Sequence, residues 1–154
     1  MKLCMIGTGY VGLVSGACFS DLGNSVICVD KDTKKIDNLK KGIIPIYEPG
    51  LDELVKKNHR SGKLKFTSNL KESVLKSDII FICVGTPKKK NSNAADLTQI
   101  YKLAKEISKY DKKFKIIITK STVPVTTGDK IEKIISKKVR SEERRVGKEC
   151  RTRW

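Results

Sequence analysis

Three glycines, Gly7, Gly9 and Gly12, form a G-x-G-x-x-G pattern within MIGTGYVGLVSG. They lie between a short apolar run, KLCMI, and a segment whose apolar residues Val11, Val14, Cys18 and Leu22 recur at helical spacing. A strand-to-helix turn of this composition suits a pyrophosphate, because the backbone must bend sharply and the phosphates must come close to it. Gly7 would make the bend and Gly9 would admit the phosphates. Gly12 would let the helix press on the strand, and the free N–H groups of its first turn would face the anion with the positive end of the helix dipole behind them. Flexible loops and methyltransferase turns carry similar glycines, so the neighbouring residues must decide.

Those residues are NSVICVDKD. Ser25 to Val29 reads as a second strand ending at Asp30, about 20 residues beyond the glycines, where a dinucleotide-binding fold places a carboxylate on the adenosine ribose. A carboxylate there accepts hydrogen bonds from both ribose hydroxyls and repels a 2′-phosphate. The expected cofactor is therefore NAD rather than NADP, with Lys31 and Lys35 as nearby cations that pull the other way.

The elements needed to hold these residues follow in order. TKKIDNLKKG reads as a helix closed by Gly42, IIPIYEPG as a turn-rich connection, and Leu51 to about His59 as a second helix. Leu64 to Thr67 is a short strand, and SNLKESVLKS a helix capped by Ser68 or Asn69. DIIFICVG is apolar almost throughout, as a central parallel strand buried on both faces would be. ADLTQIYKLAKEISKY places Leu97, Ile100, Leu103, Ala104 and Ile107 on one helical face; KIIITK is a fifth strand and GDKIEKIISKK opens another helix. Strands alternating with helices imply an α/β fold, a doubly wound parallel sheet of the Rossmann-like kind with right-handed crossovers. Ligands of such sheets lie at the carboxyl ends of the strands, so the chemistry is expected at Gly7 to Gly12, at Asp30, in GTPKKKNSNAA after Val84 and in STVPVTTGD after Lys120. In the third of these, Thr86 can offer a hydroxyl beside the cofactor while Pro87 fixes the backbone.

Composition bounds the remaining possibilities. At 154 residues the chain holds one domain with a real core. No run of 18 apolar residues and no signal-peptide pattern is present, so no membrane association and a cytoplasmic location are expected. Cys4, Cys28 and Cys83 in apolar strands, and Cys18 on the apolar side of the first helix, read as small buried hydrophobes. With no C-x-x-C pair and a single histidine, His59, no metal site is expected. The net charge of +16 comes from lysines scattered over helix surfaces and loops, without the aromatic platform of a single-strand binder. Specific nucleic-acid binding is not expected, though weak association with polyanions at low salt is.

GTGYVGLVSG, VDKDTKKIDNLKKG, PIYEPGL, FICVGTP and TKSTVPV, taken together, resemble the UDP-glucose 6-dehydrogenases, within the wider UDP-glucose/GDP-mannose dehydrogenase family. The resemblance runs from Met1 to about Val139. It implies oxidation of the sugar C6 alcohol to a carboxylate, through an aldehyde, with two NAD consumed per UDP-glucose, by a homo-oligomer. It also implies that Tyr10, Val11 and Gly12 contact the pyrophosphate, that Asp30 holds the adenosine ribose with Lys35 close by, and that Thr86 and Pro87 border the nicotinamide half. Ser121 and Thr122 match a KST motif whose threonine lies near the reacting centre and helps position a water, which makes Thr122 the catalytic candidate. The second oxidation requires a cysteine nucleophile with a lowered pKa, which the family supplies from a later domain. Sister enzymes acting on GDP-mannose or a UDP-N-acetylhexosamine, and a non-catalytic NAD-binding module, are the alternatives. One departure is Thr126, where the family usually has glycine; a β-branched residue would be strained there if the backbone required positive φ.

The composition breaks near the end. Before Arg140 the one arginine is Arg60, whereas RSEERRVGKECRTRW holds five. This tail resembles translated sequencing-adaptor read-through. The expected organisation is an incomplete NAD-binding domain over residues 1–139, truncated before a sixth strand, and a non-native tail over residues 140–154, with the central helix and substrate domain absent.

Overall fold

The structure is a computed structural model, described here for residues 1–89, 94–110 and 114–136. The expected domain end at Val139, the tail and Cys150 lie outside the described residues. The elements are β1 (Lys2–Ile6), α1 (Tyr10–Asp21), β2 (Ser25–Val29), α2 (Thr33–Lys40), α3 (Leu51–Arg60), β3 (Leu64–Thr67), α4 (Leu70–Lys76), β4 (Ile79–Ile82), α5 (Thr98–Tyr110), β5 (Ile116–Thr119) and α6 (Thr127–Ser136).

The five strands form one parallel sheet in the order β3-β2-β1-β4-β5. Met5, at the centre of β1, faces Cys28 of β2 on one side and Phe81 of β4 on the other. Residues alternate between the two faces with the period of a strand. Leu3, Met5, Val26, Cys28, Leu64 and Phe66 pack under α1, α2 and α3, while Cys4, Ile6, Ile80, Ile82 and Ile117 pack under α4, α5 and α6. Each fully buried aliphatic side chain contributes about 1.5–3 kcal/mol of transfer free energy, so both faces must be covered, and a doubly wound arrangement covers them. The chain runs outward from β1 to β3 and then returns to β4 beside β1, leaving a crevice at the reversal.

Helix starts follow local chemistry. Asp32 accepts the Lys35 N–H at the head of α2, and Asn69, rather than Ser68, accepts the Glu72 N–H at the head of α4.

The orientation of α1 differs from expectation. Its buried face is Gly12, Leu13, Gly16, Ala17 and Ser20; Val11, Cys18 and Leu22 are exposed and Val14 is half-buried. Small residues let the helix axis come close to the sheet, which moves the larger apolar residues to its rim. Cys18 is therefore a surface thiol, not a buried one. Thr126 is unstrained, because no described residue other than glycine has a positive φ.

Candidate cofactor-binding site

A cleft of about 520 Å³ opens at the carboxyl ends of β1, β2 and β4, where Gly7, Gly9, Asp30, Lys35 and Gly85 line it. The glycine turn is built from three different requirements. Gly7 has φ 103° and donates its N–H to the Val29 carbonyl at 2.8 Å; a β-carbon on it would lie 2.7 Å from the Cys83 carbonyl oxygen. At Gly12 a β-carbon would fall 1.8 Å from the Gly7 carbonyl oxygen. Gly9 has an ordinary φ of −78° and no atom within 4 Å of where its β-carbon would stand. Nothing inside the chain requires glycine there, and the position is open toward the cleft it lines. Gly9 also caps α1, whose first N–H groups have no intrahelical acceptor and whose first turn carries no acidic residue. An anion such as a pyrophosphate fits both facts.

Asp30 stands where β2 ends and is held from several directions. Its Oδ2 accepts the Thr8 hydroxyl at 2.7 Å and the Thr8 N–H at 2.9 Å, with the Lys35 ammonium at 3.4 Å; its Oδ1 accepts the Asp32 N–H at 3.2 Å. Burial alone would raise the carboxyl pKa. The hydrogen bonds from Thr8 and Asp32, with the charge of Lys35, outweigh burial and hold it below the ordinary carboxylate value. The group is thus a fixed anion at neutral pH, as a ribose-binding carboxylate must be. Lys35 lies on this anion rather than apart from it.

The remaining candidates form a second group outside this cleft. The Thr86 hydroxyl donates to the Thr122 carbonyl at 3.1 Å, and the Ser121 hydroxyl to the Val84 carbonyl at 2.6 Å. These bonds tie the loop after β4 to the loop after β5. The Pro87 carbonyl accepts the Asp96 N–H at 2.7 Å, and Lys88 bridges Ala95, so residues 87–89 pair with residues 94–96. Tyr10 and Val11 are exposed on the first turn of α1; the Tyr10 hydroxyl donates to the Tyr47 carbonyl at 3.2 Å, anchoring the PIYEPG segment. Gln99, Lys102 and Glu106 of α5 also line the cleft, and sequence reasoning missed them, as it missed Thr8. Their apolar neighbours on α5 mark a helix, but nothing in their spacing shows what the opposite face borders.

Three cysteines of the sheet, Cys4, Cys28 and Cys83, are held in the thiol form rather than poised as nucleophiles. Burial pushes Cys4 to about 12 and raises Cys28 further still; burial also lifts Cys83, at the cleft, to about 11 despite the opposing charge of Lys120. Among the described residues no cluster of His, Cys, Asp and Glu could hold a metal ion, and no helix is long and apolar enough to cross a membrane.

Comparison with known proteins gives the same picture. A profile of the UDP-glucose/GDP-mannose dehydrogenase family, NAD binding domain, matches residues 1–149, running into the arginine-rich tail. A UDP-glucose 6-dehydrogenase of Rhizobium meliloti (strain 1021) is 57% identical over 135 residues, covering 88% of this chain and 31% of the relative. One from Bacillus subtilis (strain 168) is 51% identical over 136 residues, covering 88% and 29%. The crystal structure of a ternary complex of GDP-mannose dehydrogenase from Pseudomonas aeruginosa superposes with a TM-score of 0.83 at 38% identity, covering 90% of this chain and 32% of that one. The chain thus spans about a third of the length of these relatives. It belongs to the UDP-glucose/GDP-mannose dehydrogenase family, of which it carries the NAD-binding domain.

Proposed function

We propose that the chain is the cofactor-binding part of a UDP-glucose 6-dehydrogenase, a longer protein that oxidises UDP-glucose to UDP-glucuronate with two NAD. The structural observation that carries the cofactor reading is the pairing of Gly9, open where a phosphate would lie, with Asp30, a fixed anion at the end of β2. The 57% identity to a UDP-glucose 6-dehydrogenase favours that sugar over GDP-mannose.

In this reading Gly9, Tyr10, Val11 and Gly12 present backbone N–H groups to the pyrophosphate and Gly7 shapes the turn. Asp30, with Lys35 beside it, takes the adenosine ribose. Thr86, Pro87, Ser121 and Thr122 border the nicotinamide half, and Thr122 helps position a water near the reacting carbon. A bound nicotinamide would supply the hydride acceptor, and these residues would bind and orient it. The second oxidation needs an activated cysteine from outside the described residues.

The same proposal has the longer protein a cytoplasmic homo-oligomer, in keeping with free cysteines at positions 4, 18, 28 and 83. On the jump in arginine content after Val139, residues 1–139 are assigned to its NAD-binding domain and residues 140–154 to a non-native tail, against a family match that extends to residue 149; sequencing the source DNA across codons 139 and 140 checks that division.

Calorimetric titration of NAD and NADP into the wild-type chain and Asp30→Ala tests the ribose assignment. Loss of charged hydrogen bonds should weaken NAD about tenfold to hundredfold and narrow its advantage over NADP. An unchanged NAD/NADP ratio would refute it.

A further inference from the structure

We propose that Thr8 is a positioning residue for cofactor specificity: it turns one oxygen of Asp30 toward the chain and leaves the other for the ribose. This rests on the ribose assignment above. Thr8 is fully buried, and both its N–H and its hydroxyl donate to the same atom, Asp30 Oδ2, at 2.9 and 2.7 Å. The Lys35 ammonium approaches that oxygen as well, at 3.4 Å. An ionised carboxylate offers about two acceptor sites per oxygen, so Oδ2 is fully used. Oδ1 accepts the Asp32 N–H at 3.2 Å and keeps a site for one incoming hydroxyl, rather than for both ribose hydroxyls as the sequence pattern predicts.

Two consequences follow from this division. A carboxylate that cannot rotate loses little freedom when the ribose binds, which favours NAD. It also holds its negative charge, and the ammonium of Lys35, at set positions, so a 2′-phosphate meets the anion and finds Lys35 already paired. Without the Thr8 hydroxyl, the carboxylate can turn toward Lys35 and away from the ribose, and discrimination falls. The residue between Gly7 and Gly9 thereby acts on the cofactor through a partner 22 positions away.

The test compares Kd for NAD and NADP among the wild-type chain, Thr8→Ser, Thr8→Val, Thr8→Ala and Asp30→Ala. Thr8→Val and Thr8→Ala should each weaken NAD about five- to tenfold and narrow the NAD/NADP ratio by a similar factor. Thr8→Ser, which keeps the hydroxyl, should retain the wild-type ratio to within about twofold. A purely structural role would instead make the ratio insensitive to the hydroxyl. If Asp30→Ala narrows the ratio while both hydroxyl-free variants keep the wild-type value, the Thr8 inference fails and the ribose assignment stands. If Asp30→Ala leaves the ratio unchanged, both fall. Should Thr8→Val not fold, the smaller Thr8→Ala makes the same comparison.

Discussion

The glycines of the turn look equivalent in the sequence, and single β-carbons separate their roles. Gly12→Ala would drive a methyl to 1.8 Å from the Gly7 carbonyl oxygen, a clash with backbone that cannot yield locally. It should cost about 3 kcal/mol or more, seen as a large drop in the urea midpoint. Gly9→Ala meets open space at an ordinary φ, so the cost should stay near or below about 1 kcal/mol, that of a poorer helix cap. NAD affinity should nevertheless fall at least about tenfold, because the methyl stands where the phosphates must approach. A Gly9→Ala variant with normal stability and normal NAD affinity would remove the pyrophosphate from this turn. Asp30 adds a pH dependence. Its folded pKa lies below the unfolded value of 3.8, so its contribution to stability is complete above that value and is lost as pH falls through the folded one. The stability gap between wild type and Asp30→Asn should hold constant from about pH 8 to about pH 5 and shrink below about pH 4.

At the level of elements, caps and packing faces can be tested separately. Asn69→Ala removes the acceptor for the Glu72 N–H and should destabilise the chain by about 1 kcal/mol, measured by urea unfolding, with the sheet intact. The orientation of α1 is tested by thiol labelling. Of the cysteines at positions 4, 18, 28 and 83, only Cys18 should react rapidly with a maleimide in the native state, and Cys18→Ser should abolish that fast modification as read by peptide mass mapping. Rapid labelling of Cys28 would mean that α1 does not cover the sheet as described. The misreading of this helix has a plain cause. VGLVSGACFSDL is apolar on nearly every side, so periodicity carries little direction, and close packing selects the small side chains instead.

At the scale of the whole molecule, charge and size set the expectations. A chain of net charge +16 attracts any polyanion, whereas binding in the proposed cofactor cleft would depend on shape as well as charge. NAD affinity should change by only a few-fold between about 50 and 200 mM salt, whereas association with nucleic acid should fall by orders of magnitude. A collapse of NAD affinity in parallel would point to nonspecific phosphate attraction. Since burial holds Cys4, Cys28 and Cys83 in the thiol form, the 154-residue chain given UDP-glucose and NAD should not complete the second oxidation and should form no UDP-glucuronate, as read by chromatography of the nucleotide sugars. Formation of UDP-glucuronate would place the complete chemistry within these residues.

The sequence alone determined the order of elements and the cofactor class, because both rest on local rules. Short apolar runs rich in β-branched and aromatic residues placed β2 and β3 at their observed bounds, and G-x-G-x-x-G followed by Asp30 carries its spacing in one dimension. Tertiary structure decided what depends on residues distant in the chain. It chose the face of α1, joined Thr86 to Thr122 across the two carboxyl-end loops, and brought Gln99, Lys102 and Glu106 to the rim of the cleft. It also set Thr8 against Asp30, 22 residues apart. No spacing rule encodes such a contact: it exists only once parallel pairing of β1 and β2 aligns their carboxyl ends, so that the residue after one strand meets the turn after the other.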